Sequence, residues 1–250
     1  IIEDEINTRN ILYTLLIRKM KNPKEKILGI LGGMGPYATL DFIKHIYDNT
    51  SDISVDSDHI RIVTDINVKL PSRTRAILFN EQSPVDGMVS SIKKLSELGA
   101  SVIAVPCNSA HYFYNSVKLE TNDNWINMLE CVSDAVKARN SKRPLILGGY
   151  VTVSKKIYKD FLPDAVYLED SLNEVSYELI EEIKISSNNY LEKIKKIIDL
   201  YKKSGADSIL LACTEFTVIK SFFMDEGIDT IDSNEEYAKH LIKIIKNKIV

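Results

Sequence analysis

Along most of the chain, short apolar runs bounded by glycine or proline alternate with longer segments in which apolar residues return every three or four positions. The short runs read as parallel strands buried on both faces, and the periodic segments as helices that cover them. Strands are expected at Lys26–Leu31, His59–Ile66, Pro144–Gly149, Ala165–Leu168 and Thr230–Asp232, with a strand or crossing segment at Trp125–Leu129. Helices are expected over Tyr37–Tyr47, Pro84–Leu98, Glu130–Asn140, Ile157–Leu162, Asn173–Lys184, Tyr190–Ser204 and Asn234–Lys246. Asn67–Arg75 and Tyr150–Ser154 read as loops on one edge of the sheets.

The pattern contains one stretch twice. Gly99-Ala100-Ser101-Val102-Ile103-Ala104-Val105-Pro106-Cys107-Asn108 aligns without a gap on Gly205-Ala206-Asp207-Ser208-Ile209-Leu210-Leu211-Ala212-Cys213-Thr214. Each copy is a turn, a buried strand, a cysteine at the strand's carboxyl end and a small polar residue that starts another helix. That edge of an open α/β sheet is where ligands bind. Amides and the dipole at a helix start favour an anion, so a thiol there is expected to ionise more easily than a free one at about 8.5. The plain alternative is packing, since free cysteine is often only a small buried side chain. The duplication predicts two similar lobes, 26–118 with 233–250 and 119–232, each offering one thiol. Residues 1–25 stand outside it. There Ile6, Ile11, Leu12, Leu15 and Leu16 share a helical face that Asn22-Pro23 ends, which suggests an extra helix packed on the body or on a partner chain. The apolar run Ile11–Ile17 is too short to span a bilayer, and the acids Glu3, Asp4 and Glu5 stand where a secretory signal carries positive charge.

Charge narrows the partners. A formal net charge of −3 gives no basic excess for nucleic acid or an anionic membrane. Three cysteines without paired spacing form neither a disulfide framework nor a zinc site, so no metal is expected and reduced cytoplasmic thiols fit best. Gly32-Gly33-Met34-Gly35-Pro36 after the first strand can bring amides and a helix start to an anion. Gly33-Met34-Gly35-Pro36-Tyr37-Ala38 also matches a dinucleotide fingerprint, a weak signal alone, and Asp65 lies rather far downstream for the acidic residue such sites use. Arg73 can grip a carboxylate through two hydrogen bonds or can simply be a solvated arginine. His111, one helical turn past Cys107, can be a base for the thiol or a structural hydrogen-bonder. Lys184 near a helix end can just complement the dipole. Cys131 has no repeat partner and reads as packing.

Taken together, Gly32-Gly33-Met34-Gly35-Pro36, Pro71-Ser72-Arg73-Thr74, Pro106-Cys107-Asn108-Ser109-Ala110-His111 and Ala212-Cys213-Thr214-Glu215 resemble the cofactor-independent aspartate/glutamate racemase superfamily, closest to its aspartate racemase branch. The resemblance runs from about Lys26 to the C-terminus, with Ser109 where threonine is usual. It implies an α/β fold of two pseudo-symmetric flavodoxin-like lobes, each a parallel sheet flanked by helices, with the active site in the cleft between them, and a homodimer. It implies that Cys107 and Cys213 are the two acid/base residues, and that Arg73 and Lys184 hold substrate carboxylates. The substrate-binding set expected around them is Met34, Gly35, Arg73, Asn108, Ser109, Thr152, Lys184, Thr214 and Glu215.

The chemistry is consistent with that resemblance. Inverting an amino acid without a cofactor requires one group to remove the α-proton and another to return a proton to the opposite face. Two thiols facing across a cleft can do this, at about 6 to 7 Å from each other if each approaches the α-carbon to roughly 3 to 3.5 Å. The carbanion needs electrostatic stabilisation, for which the Gly33–Gly35 amides, Arg73, Asn108 and Thr214 are candidates. The expected activity is interconversion of L- and D-aspartate; glutamate or broader racemases, hydantoin racemase and maleate isomerase share the plan. A nucleotide-binding oxidoreductase gives the matched cysteines no role. A non-catalytic binding protein has no need of both, and a cysteine hydrolase needs only one with an acid to orient His111.

Overall fold

The computed structural model describes residues 25–122, 124–167, 170–184 and 190–246, so the helix expected within 1–25 lies outside it. Two parallel sheets form the frame. In the first, β1 (Leu28–Gly32) lies between β2 (Ile62–Ile66) and β3 (Val102–Ala104). In the second, β5 (Ser208–Ala212) lies between β4 (Pro144–Gly148) and β6 (Thr230–Asp232). A single parallel bridge from Ile103 to Trp125 extends the first sheet, and one from Leu145 to Val166 extends the second. In each sheet the added segment borders one of these strands, which gives both halves the strand order 2-1-3-4, the flavodoxin-like order. Every residue of β1, β4 and β5 is buried, as continuous apolar runs require, whereas β2 at its edge is half-buried.

Helices α1 (Pro36–Asp48), α2 (Arg73–Phe79), α3 (Val85–Glu97), α4 (Tyr114–Glu120) and α5 (Met128–Ala138) follow the strands of the first half. The second half adds α6 (Tyr150–Ser154), α7 (Asp170–Lys184), α8 (Leu191–Ser204), α9 (Lys220–Asp225) and α10 (Ser233–Ile245). Strands β1 and β4 each end on a glycine where the next helix closes in. A Cβ at Gly32 would meet Thr39 at 2.3 Å, and one at Gly148 would meet Thr152 at 2.7 Å. One apolar core joins the halves, taking Leu28 and Ile30 from the first sheet, Ile146 and Leu210 from the second, and Phe42, Val132, Tyr237 and Leu241 from α1, α5 and α10. Phe42 stacks on Tyr237 at 5.5 Å. Separate cores lie outside each sheet, under α3 in the first half and under α7 and α8 in the second.

Four local expectations are corrected. Tyr150–Ser154 is the short helix α6, not a loop, because Gly149 ends extended and lets the helix start at once. Ile157–Leu162 is a series of turns, not a helix: Lys156 takes φ 48 and breaks the run after α6, and Pro163 follows directly. Arg73 opens α2 rather than sitting in a loop, with Ser72 Oγ accepting from the Arg75 amide at the helix start. The segments after the two cysteines begin as 3-10 turns, Asn108–Phe113 and Thr214–Ile219, before α4 and α9. Among the described residues no helix is long and apolar enough to cross a membrane.

Candidate active site

The two matched strand ends meet at one cavity of about 160 Å³. Cys107 reaches it three residues past β3, through Val105 and Pro106, and Cys213 stands immediately past β5. Met34, Arg73, Asn108, Ser109, Thr152, Thr214 and Glu215 line the same space. Tyr150 and Val151 of α6, from the segment expected at the ligand edge, add a further wall, and Tyr177, Ile180 and Glu181 of α7, which sequence patterns did not single out, complete it. Only the helical periodicity of α7 carried a signal for these positions, and it cannot say which face looks at a site in the other lobe. Gly35 is not part of the lining. Lys184 ends α7, and its side chain lies outside the described residues.

The thiols differ in their surroundings. Cys213 Sγ donates to Glu215 Oε2 at 3.0 Å, and the Thr214 hydroxyl donates to the same oxygen at 3.1 Å. Cys213 keeps some surface open to the cavity but is held away from bulk water; that burial, and then the Glu215 carboxylate, push its thiol well above the ordinary range. The expectation of an easily ionised thiol is therefore corrected at this position: the neighbouring carboxylate and the lost hydration outweigh the helix start. The Cys107 sulfur lies 3.5 Å from the Ser109 hydroxyl. A negative charge on Cys107 would add to the upward push on Cys213, so a second ionisation of the pair is opposed.

His111 is not a base for Cys107. The Met128 amide donates to Nε2 at 3.1 Å, which leaves the proton on Nδ1, and Nδ1 donates to the Cys107 carbonyl at 2.9 Å. The ring is buried against Trp125 at 5.0 Å, and burial pulls its pKa down to about 4. It is a neutral brace for the backbone that carries the thiol.

Asn108 is also braced. Its Oδ1 accepts from the Tyr158 hydroxyl, and its Nδ2 donates to Ser233 Oγ at 3.1 Å. Arg73 bends back on its own segment, Nη1 donating to the Pro71 carbonyl at 2.8 Å and more weakly to that of Leu70 at 3.5 Å, while Nε is buried without an acceptor. An orphaned cationic donor in a cavity wall is what a carboxylate would satisfy. In the glycine loop the Gly33 amide donates to Thr39 Oγ1 of α1 at 3.0 Å, onto the following helix rather than into the cavity. No group of three or more His, Cys, Asp or Glu side chains among the described residues could hold a metal ion.

A family model described as Asp/Glu/Hydantoin racemase matches residues 31–241. The chain is 27% identical over 229 residues to the broad specificity amino-acid racemase RacX of Bacillus subtilis (strain 168), covering 86% of this chain and 96% of that protein. It is 22% identical over 207 residues to a glutamate racemase of Shewanella woodyi, covering 76% and 78%. The solved structure of Picrophilus torridus aspartate racemase superposes with a TM-score of 0.78 at 33% identity, over 88% of this chain and 94% of that one.

Proposed function

Because the chain belongs to the Asp/Glu/hydantoin racemase family, we propose that it racemises an amino acid by two-base proton transfer, with Cys107 and Cys213 on opposite faces of the α-carbon. One observation carries the reading: two thiols at duplicated strand ends share a single small cavity. In one direction the Cys107 thiolate takes the α-proton, so that Cα–H breaks and S–H forms. The electron pair is delocalised into the substrate carboxyl, and the Cys213 thiol gives its proton to the other face. The opposite enantiomer reverses the roles. Glu215 accepts the Cys213 S–H hydrogen bond while that thiol is the acid; each turnover leaves Cys107 protonated and Cys213 ionised, which is the state that acts on the opposite enantiomer. Arg73 and the free N–H of Asn108 are the donors for the carboxyl as its negative charge grows.

Aspartate is the proposed substrate, with Arg73 and Lys184 as partners for its two carboxylates. A second reading, broader specificity, is favoured by the composition of the wall: among its described side chains Arg73 is the one cation, beside the carboxylates of Glu181 and Glu215. A homodimer in a reducing cytoplasm, where both thiols stay free, completes the proposal. The test is proton NMR in heavy water on reduced protein without pyridoxal phosphate, with L-aspartate and then a panel of amino acids, followed by chiral analysis. Loss of the α-proton signal with appearance of the D-isomer is expected, and Cys107→Ser and Cys213→Ser should each stop turnover. Exchange that survives both substitutions, or none with any amino acid, overturns the two-base reading.

A further inference from the structure

We infer that Tyr158 is a positioning residue for the reaction: it sets the direction in which the Asn108 carboxamide faces the cavity. The inference rests on the racemase reading above and adds to it a residue that no sequence motif marked.

Three observations carry it. Tyr158 is fully buried in the core shared by the two halves, and its hydroxyl donates to Asn108 Oδ1. Burial holds the phenol well above its ordinary pKa, so the proton stays on and must have an acceptor; Asn108 Oδ1 is the one the structure gives it. On the other edge of the amide, Nδ2 donates to Ser233 Oγ. A carboxamide is planar, so fixing its oxygen and one of its two N–H groups fixes the whole plane. The remaining N–H is then the group that Asn108 can offer the cavity it lines.

The direction matters because the amide has two unlike ends. If it turned over, Oδ1 would face the cavity, and an acceptor would meet the charge that grows on the substrate carboxyl. The three partners come from different parts of the chain: Asn108 follows the thiol of the first half, Tyr158 belongs to the turns after α6, and Ser233 opens α10. Tyr158 therefore also ties the Cys107 side of the cleft to the second half. Its hydroxyl is not part of the cavity lining, so it acts through Asn108.

Tyr158→Phe removes one oxygen and keeps the ring that fills the core. A fall in kcat of roughly ten- to a hundredfold is expected, with a much smaller change in KM, because the lost donor acts on charge that develops in the transition state. In an Asn108→Ala background the same substitution should have no further effect on kcat, since the amide it orients is gone. A purely structural tyrosine would lower thermal stability and leave kcat per folded molecule unchanged, or would multiply with Asn108→Ala; either result overturns the inference. A second readout does not depend on turnover. In protein labelled with ¹⁵N-asparagine, the Asn108 side-chain amide, assigned by its disappearance in Asn108→Ala, should give two distinct protons that exchange slowly with solvent. In Tyr158→Phe their exchange should quicken at least tenfold. An unchanged pair refutes the orientation, whereas a changed pair in a protein that racemises nothing refutes only the racemase reading.

Discussion

The neutral, buried His111 makes stability depend on pH in a calculable way. In the unfolded chain its ring titrates near 6.5, and in the folded protein burial lowers this to about 4. Between these values the unfolded state binds a proton that the native state refuses, so stability falls as pH falls through the window and is fully present above it. Protonating Nε2 would also set an N–H against the Met128 amide that now donates to it. A gap of this size corresponds to about 3 kcal/mol when fully expressed, and to about 2 kcal/mol of it by pH 4.5. Urea unfolding of the wild type and of His111→Gln at pH 7 and pH 4.5 checks the value. The wild type should lose about 2 kcal/mol more than the variant between the two conditions, the subtraction removing the other titrating groups. Equal losses would refute the reasoning, as would an His111 ring proton that titrates near 6.5 by NMR. The NMR titration needs only the wild type, so it decides the matter even if the variant does not fold.

Three other outcomes follow from the same geometry. Glu215→Gln removes the carboxylate that, after burial, raises Cys213; the thiolate becomes less costly, so alkylation of Cys213 by iodoacetamide at pH 8 should speed up roughly three- to tenfold. Mass spectrometry reads this directly, and Cys131, which burial holds up at about 12, should stay unmodified in the native protein. Arg73→Lys keeps a charge but loses the buried Nε donor and the planar fork, and should raise KM for an acidic amino acid by about tenfold or more. Leu210→Ala empties a fully buried site in the core shared by both halves and should cost about 2–5 kcal/mol. Because that core is common, the two lobes should unfold in one transition rather than two.

The local chemistry of this chain was readable from its amino acids wherever cause and effect are close in sequence. Apolar runs between glycines specify parallel strands, and their duplication placed Cys107 and Cys213 at equivalent strand ends without any knowledge of the cleft. Failures were local as well: a left-handed Lys156 and the following Pro163 were enough to turn an apparent helix at Ile157–Leu162 into turns. Other properties depended on neighbours distant in sequence. The role of His111 stayed open until the Met128 amide and the Cys107 carbonyl were seen on its two nitrogens. Tyr158 looked like any aromatic within the helix expected at Ile157–Leu162 until folding brought it to Asn108, 50 positions away. Hydrogen bonds and desolvation act over a few ångströms in space, whereas a sequence pattern records only what is periodic along the chain. Residue order thus determined the strands and the matched thiols; tertiary packing alone decided that burial and Glu215 raise the Cys213 thiol, that His111 is a brace and which wall closes the cavity.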